Sequence, residues 1–313
     1  MIETIKKELL NLTGSKIIFN EPLKKHTTYG VGGMASVFIL PSNSKDLIKI
    51  LKFINEKKIN LSIMGSGSNL LVNDRGFDGA VISLKNSFKK FEISKTLEVN
   101  IGTGVMLGNM VRKLTQKSVI GLESLVGVPG TLGGAIIMNA GAYGSEISNN
   151  LVSVKVIDLK GNQKTYMKQD IDFDYRYSSF KKDELIIEAK FQFQKGNLDI
   201  INKNQSDASS KRKLNQPLTY KSAGSVFKNP NNGHAAGYLI DKSNLKGKRI
   251  GDAEISQKHA NFIINHGNAK SNEIFELIKI IKNRVKSNFK VNLELEVKLL
   301  GFNSEELSEL NWK

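Results

Sequence analysis

Three glycine clusters fall in the first half of the chain. They are Tyr29-Gly30-Val31-Gly32-Gly33, Gly65-Ser66-Gly67-Ser68-Asn69-Leu70-Leu71-Val72, and a longer stretch from 121 to 144. The third holds Gly127-Val128-Pro129-Gly130-Thr131-Leu132-Gly133-Gly134 and Met138-Asn139-Ala140-Gly141-Ala142. Closely spaced glycines allow successive backbone N–H groups to converge on an anion, and Ser, Thr and Asn between them add donors without bulk. One such cluster is ordinarily a set of tight turns. Three together favour a bound pyrophosphate. No Gly-Lys-Ser/Thr follows any of them, so none is a Walker A loop. Leu70 stands where a G-x-G-x-x-G turn needs its third glycine, so a Rossmann fold is not indicated.

The flanking sequence supplies the scaffold. Val37-Phe38-Ile39-Leu40 reads as a buried strand closed by Pro41. Ser44 then caps an amphipathic helix with Leu47, Ile50, Leu51 and Ile54 on one face. Leu61-Ser62-Ile63-Met64 is a second strand whose carboxyl end carries the Gly65 loop, where ligands bind in such units. Alternation over 91–102 and 152–193, with a helix over 107–116 between, predicts an α+β region. The polar stretch 195–216 reads as a linker. A strong helix opens near Ser271, with Ile274, Leu277, Ile278, Ile281 and Val285 in phase. Glu273 and Glu276 sit near its positive end. Residues 291–297 alternate as a strand would.

One segment of the last region carries chemistry: Ser222-Ala223-Gly224-Ser225-Val226-Phe227-Lys228-Asn229-Pro230. Gly224 lets backbone approach whatever Ser225 touches, Lys228 brings positive charge, Asn229 both donates and accepts, and Pro230 stiffens the exit. It is either a strand ending in a polar turn or a hydroxyl placed to deliver a proton to an anionic intermediate.

Composition narrows the class. At 313 residues, two or three domains are expected. With no cysteine, disulfides, iron–sulfur clusters, thiolate zinc sites and cysteine nucleophiles are excluded. Four histidines without metal-ligand spacing give no expectation of a metal. No apolar run reaches the roughly 20 residues of a membrane span, and the charged N-terminus is not a signal peptide, so a cytoplasmic protein without membrane insertion is expected. The formal charge is +16, but only six of the 46 basic residues are arginine and the lysines are scattered. That argues against nucleic acid and for attraction of small polyanions.

Taken in order, these segments resemble the UDP-N-acetylenolpyruvoylglucosamine reductases, whose FAD-binding half belongs to the p-cresol methylhydroxylase/vanillyl-alcohol oxidase superfamily. The motifs in register are Gly30-Val31-Gly32-Gly33, Gly65-Ser66-Gly67-Ser68-Asn69, Gly127-Val128-Pro129-Gly130, Tyr175-Arg176-Tyr177-Ser178-Ser179-Phe180-Lys181, Ala223 through Pro230, and Leu293-Glu294-Leu295-Glu296-Val297. The resemblance implies Ser225 as general acid, Arg176 as the carboxylate-binding fork and Glu296, rather than Glu294, as a carboxyl of raised pKa. It implies non-covalent FAD held by Tyr29, Gly32, Gly65, Ser66, Gly67, Ser68, Asn69, Leu70, Gly127, Pro129, Gly130, Gly133, Gly134, Asn139, Ala140 and Gly141. His26 is then a turn residue and no flavin anchor. Lys228, Asn229, Lys246 and His259 would contact the UDP-sugar, some relatives carrying glutamine at the last. Lys298 takes the place of an arginine, and Lys221 that of a proline. The interval from Arg176 to Ser225 matches the shorter subtype, without an extra closing loop.

The implied fold is α+β: a two-lobed FAD-binding portion, 1–82 with 302–313 returning to it and 83–205, then a substrate domain, 206–301. The implied reaction reduces a vinyl ether with NADPH as co-substrate, to UDP-N-acetylmuramate, with no obligate protein partner. Other readings are an FAD-linked oxidase or dehydrogenase of the same superfamily acting on a small alcohol or hydroxy acid, a basic nucleic-acid-binding protein, and a flavodoxin-like module without turnover.

Overall fold

The computed structural model describes residues 3–231 and 233–310. The chain divides into two compact units, each assembled from separated stretches. The first comprises Met1–Phe19, Ser36–Ser66 and Gly79–Lys211, and the second Asn20–Ala35, Gly67–Asp78 and Arg212–Lys313. Helices and sheets are mixed in both, which is the α+β class read from the sequence.

In the first unit, helices α1 (Glu3–Leu12) and α2 (Ser44–Glu56) pack together. The Leu47, Ile50, Leu51, Ile54 face of α2 is fully buried, as its helical spacing requires. Its N-cap is Asn43, whose Oδ1 accepts from Asp46 N at 2.9 Å. Ser44 is the first helical residue, one position later than the cap expected of it. A four-stranded sheet runs in the order Lys16–Pro22, Met34–Leu40, Phe77–Ser83, Leu61–Met64. The last two strands are parallel, with Met64 opposite Ser83.

A second sheet, antiparallel throughout, runs Gln163–Met167, Leu151–Asp158, Glu184–Gln192, Glu98–Gly102, Phe91–Ile93. Its inward residues, among them Val99, Ile101, Val154, Ala189 and Phe191, share a core with Leu107, Met110, Val111 and Leu114 of α3 (Leu107–Gln116). A short helix, α4 (Leu132–Ile137), closes this core.

The stretch expected to be a linker is instead an 18-residue helix, α5 (Leu198–Asn215). Only Ile201 and Ala208 are buried along it, seven residues or two turns apart, so it presents a seam too thin to register as an apolar stripe. Polar contacts do the rest: Asn204 Nδ2 donates to Glu123 Oε1 at 3.3 Å, and Gln205 Nε2 to Thr115 Oγ1.

The second unit holds α6 (Ala236–Lys242), α7 (Ser271–Phe289) and α8 (Ser304–Glu309). Helix α7 lies on a small antiparallel sheet, Arg249–Ile250, Ala253–Ile255, Ile263–Asn265, and buries Ile274, Leu277, Ile278, Ile281 and Val285. Its start is fixed by a reciprocal pair: Ser271 N donates to Asp74 Oδ2 at 2.7 Å, and Asp74 N to Ser271 Oγ at 2.8 Å. An aspartate there also complements the helix dipole. Phe302 stacks on Phe275 at 5.1 Å, and Leu310 is buried. The end of the tail expected to return, 311–313, lies outside the described residues.

Residues 291–297 do not form the strand their alternation suggests. Leu293, Leu295 and Val297 are buried, but pairing is confined to one bridge, Leu295 with Phe227. The ladder begins just after, where Lys298–Leu300 pairs in parallel with Leu70–Val72.

Candidate active site

Ser225 lines a pocket of about 320 Å³ in the second unit, together with Asn229, Tyr238, Asp241, Lys246, Lys258, His259 and Asn261. Four predicted residues, Ser225, Asn229, Lys246 and His259, therefore meet in one cavity. Gly224 turns the chain into it at φ +77°, a conformation that L side chains rarely adopt. The serine's own position is set by Asn261, whose backbone O accepts from Val226 N at 2.9 Å. The Asn261 side chain accepts from Phe227 N at 3.0 Å and donates to Phe227 O at 2.8 Å. This buried clamp was not foreseen, nor were Tyr238, Asp241 and Lys258. Asn261 lies two residues past His259, with no motif to mark it.

The two glutamates of the closing segment part company. Glu296 N donates to Val226 O at 2.8 Å, which places its half-buried residue alongside the serine loop. Glu294 is exposed and pairs with Lys228, Nζ to Oε2 3.7 Å, while Lys228 N donates to Glu294 O at 2.9 Å. Lys228 thus flanks the pocket without lining it. Asn229 Oδ1 accepts from Ala236 N at 3.0 Å, tying the exit of the serine segment to α6.

Lys246 is paired with Asp241 at 2.8 Å. Burial, with the Lys246 charge adding to it, holds His259 below the ordinary histidine value. Its Nδ1 accepts from Asn261 N at 3.3 Å, so the neutral ring carries its proton on Nε2 and is a donor there. A neutral donor beside a lysine suits a phosphate or sugar oxygen.

The glycine-rich loops fall in both units. In the first, Gly65 comes so close to Thr131 Oγ1 that an added Cβ would collide with it. Gly133 and Gly134 open α4, Gly133 N donating to Thr103 O at 3.0 Å and Gly134 N to Thr131 Oγ1 at 3.5 Å. Gly130 O accepts from Leu107 N at the start of α3, and Gly127 and Pro129 are exposed just before it. Asn139 is buried, and Ala140 and Gly141 continue from it into a short hairpin with Ser145–Glu146. In the second unit Gly67 O accepts from Thr28 N at 3.1 Å, Gly32 is buried, and Ser68 and Asn69 lead into the strand opened by Leu70. His26 is a turn residue, its Nε2 2.9 Å from Glu21 Oε1.

Arg176 belongs to the first unit and is no strand residue. It sits at φ +55° in the two-residue turn of a hairpin, Phe173–Asp174 with Tyr177–Ser178, and its Nη2 donates to Gly141 O at 3.1 Å.

Two buried hydroxyls test whether these loops suit a flavin dinucleotide. Tyr29 Oη and Ser66 Oγ have no hydrogen-bond partner among the described residues, and both belong to the expected cofactor set. A buried orphan donor is costly unless a ligand atom meets it. Burial also raises the Tyr29 phenol far above its usual range, so it stays a neutral donor. On these two unmet donors, the residues fit FAD.

Residues 35–166 match the family described as FAD binding domain, and residues 216–300 match UDP-N-acetylenolpyruvoylglucosamine reductase, C-terminal domain. The UDP-N-acetylenolpyruvoylglucosamine reductase of Clostridioides difficile (strain 630) is 39% identical over 94% of this chain and 96% of its own. That of Clostridium kluyveri (strain NBRC 12016) is 40% identical over 94% and 96%. The chain belongs to the UDP-N-acetylenolpyruvoylglucosamine reductase family. The solved reductase of Thermus caldophilus superposes on it with a TM-score of 0.78 at 32% identity, covering 91% of this chain and 98% of the other. The matched C-terminal domain contains Ser225, Lys228, Asn229, Lys246, His259 and Glu296. The matched FAD-binding domain contains the loops from Gly65 to Gly141 and ends before Arg176. Among the described residues no helix is long and apolar enough to cross a membrane.

Proposed function

We infer that this reductase converts the enolpyruvyl ether of UDP-N-acetylglucosamine to UDP-N-acetylmuramate, with FAD as cofactor and NADPH as reductant, in peptidoglycan precursor synthesis. The observation that carries the reading is the convergence of Ser225, Asn229, Lys246 and His259 on one pocket, with the Glu296 backbone bonded to the residue after the serine. When bound, FAD supplies the hydride chemistry that links NADPH to the carbon–carbon double bond.

The chain's own residues supply the rest. As hydride reaches the terminal carbon, negative charge builds on the neighbouring carbon and its carboxylate, and the site must stabilise it and deliver one proton. Ser225 Oγ is the proposed donor to that carbon. A hydroxyl is a weak acid at neutral pH, but a carbanion-like neighbour is a strong base. Arg176, its turn tied to Gly141, supplies the permanent charge for the carboxylate. Glu296 is proposed to share a hydrogen bond or proton with the same developing anion, as its half-buried place beside the serine loop supports. Lys246, Asn229 and the His259 Nε2–H are proposed to hold the UDP-sugar. Both substrates are soluble anions of the cell interior, and a cytoplasmic site of action is the proposal that goes with them.

The test is spectroscopic. The purified, FAD-loaded protein should be bleached by NADPH without air and recover its flavin band on addition of the enolpyruvyl UDP-sugar. Bleaching without recovery would move the substrate to an alcohol or hydroxy acid; failure to bind FAD would sink the reading.

A further inference from the structure

The Arg176 hairpin is fastened to the segment 137–141 at three successive points. Ser178 Oγ donates to Ile137 O at 2.7 Å, Asn139 Nδ2 to Asp174 O at 3.2 Å, and Arg176 Nη2 to Gly141 O at 3.1 Å. Asn139 is the middle fastening and the only one of the three that is fully buried, at 1% exposure. Its amide is fully engaged inside the protein. Nδ2 also donates to Glu146 Oε2 at 2.8 Å, and Oδ1 accepts from Ser148 N at 3.3 Å. Arg176 has left-handed backbone, φ +55°, which a long side chain holds only where its surroundings impose it, and Asn139, at φ +39°, is of a residue type that tolerates positive φ. The side chain therefore has little left to offer a ligand. It braces the turn that carries the arginine.

We propose that Asn139, held by Glu146, is a positioning residue for Arg176: it fixes the hairpin turn so that the guanidinium meets the substrate carboxylate as charge develops. The inference rests on the proposed role of Arg176. A guanidinium on a loosened turn keeps its charge but loses its aim, and small misplacement of a charged group is enough to slow a reaction about tenfold or more. The effect belongs to the step that reduces the enolpyruvyl group. Reduction of the flavin by NADPH involves no substrate carboxylate and should be spared.

The experiment is a double-mutant cycle on the FAD-loaded enzyme, with the two half-reactions followed separately by stopped flow. Glu146→Ala, which removes the brace on Asn139, is expected to slow flavin reoxidation by the enolpyruvyl UDP-sugar about tenfold, and to leave bleaching by NADPH within about twofold. In an Arg176→Ala background the same substitution should change reoxidation by less than about twofold, because the group it positions is gone. Asn139→Ala, which removes the fastening to Asp174 O as well, should slow reoxidation at least as much, and a titration of its FAD affinity separates that effect from any loss of cofactor. Equal slowing of both half-reactions, or an undiminished effect in the Arg176→Ala background, would overturn the proposal. If Arg176→Ala alone leaves reoxidation at the wild-type rate, it is the reading of Arg176 that fails.

Discussion

Asn69 donates from its side-chain amide to the backbone carbonyl of Glu296 at 3.0 Å, joining residues 227 positions apart. Its own carbonyl accepts from Lys298 N at 3.0 Å, where the parallel ladder begins. The loop expected to cradle the cofactor thus grips the backbone at the carbonyl of the proposed catalytic Glu296 and again two residues beyond it. Asn69→Ala should lower the rate of product formation about tenfold and stability by about 1 kcal/mol, the range for a partly buried hydrogen bond. Steady-state rates and urea unfolding measure the two. An unchanged rate would mean the loop does not govern Glu296.

Ser225→Ala should isolate the proton. Proton delivery by a positioned side chain typically contributes about 10²–10⁴ in rate, so reduction of the enolpyruvyl ether should slow by about that factor. Bleaching of the flavin by NADPH should be unaffected, since it needs no carbon acid. Full activity in the alanine variant would assign the proton to another group.

Asn261 holds the serine loop through both ends of its amide, and the bonds are buried. Asn261→Ala leaves Phe227 N and O without those partners, at about 1–3 kcal/mol for each buried group left unsatisfied. A loss of about 2–4 kcal/mol is expected in denaturant titrations, with a lower turnover number. Asn261→Asp keeps the acceptor and loses the donor, so it should fall between. A variant as stable as the parent would rule out the clamp.

What could be read from the sequence follows from what each signal reports. The period of α2 and α3 was legible because their apolar faces are wide and wholly buried. Helix α5 was not, because Ile201 and Ala208 are its only buried residues. Alternation over 291–297 reported correctly which side chains face inward, but facing is not pairing, and the hydrogen-bond ladder starts at Lys298. Tyr175-Arg176-Tyr177 alternates like a strand although Arg176 turns the chain at positive φ, for which a non-glycine residue leaves no mark. Ser225, Asn229, Lys246 and His259, singled out by the family resemblance, line one pocket, although Lys246 and His259 lie in no motif of their own. Asn261, whose work is done on backbone atoms, had no motif to betray it.

Tyr29 offers a test of the cofactor site that does not depend on turnover. Its hydroxyl is buried without a partner among the described residues. Tyr29→Phe should leave the stability of the FAD-free protein unchanged or raised, because an unsatisfied group is removed. If the phenol meets the flavin dinucleotide, FAD affinity should fall about tenfold, the upper range for one neutral hydrogen bond. Thermal unfolding with and without FAD, and fluorescence titration, read both. Unchanged affinity would assign the orphan hydroxyl to something other than FAD.

His259 predicts a pH dependence whose sign follows from its burial. Desolvation first, and the Lys246 charge second, hold it below the ordinary histidine value. In mildly acid solution the unfolded chain therefore binds more protons at this residue than the folded one, and stability falls as the pH falls. The contribution of the neutral ring is whole above the unfolded value of about 6.5 and is lost as the pH drops through the folded value. His259→Gln removes the titration while keeping an N–H donor for the pocket. Its denaturant midpoint should therefore decline less than the parent's between about pH 7 and pH 5, with the two curves drawing together at the alkaline end. Parallel declines over that interval would show that His259 is not held neutral, and would withdraw it as the Nε2–H donor to the UDP-sugar.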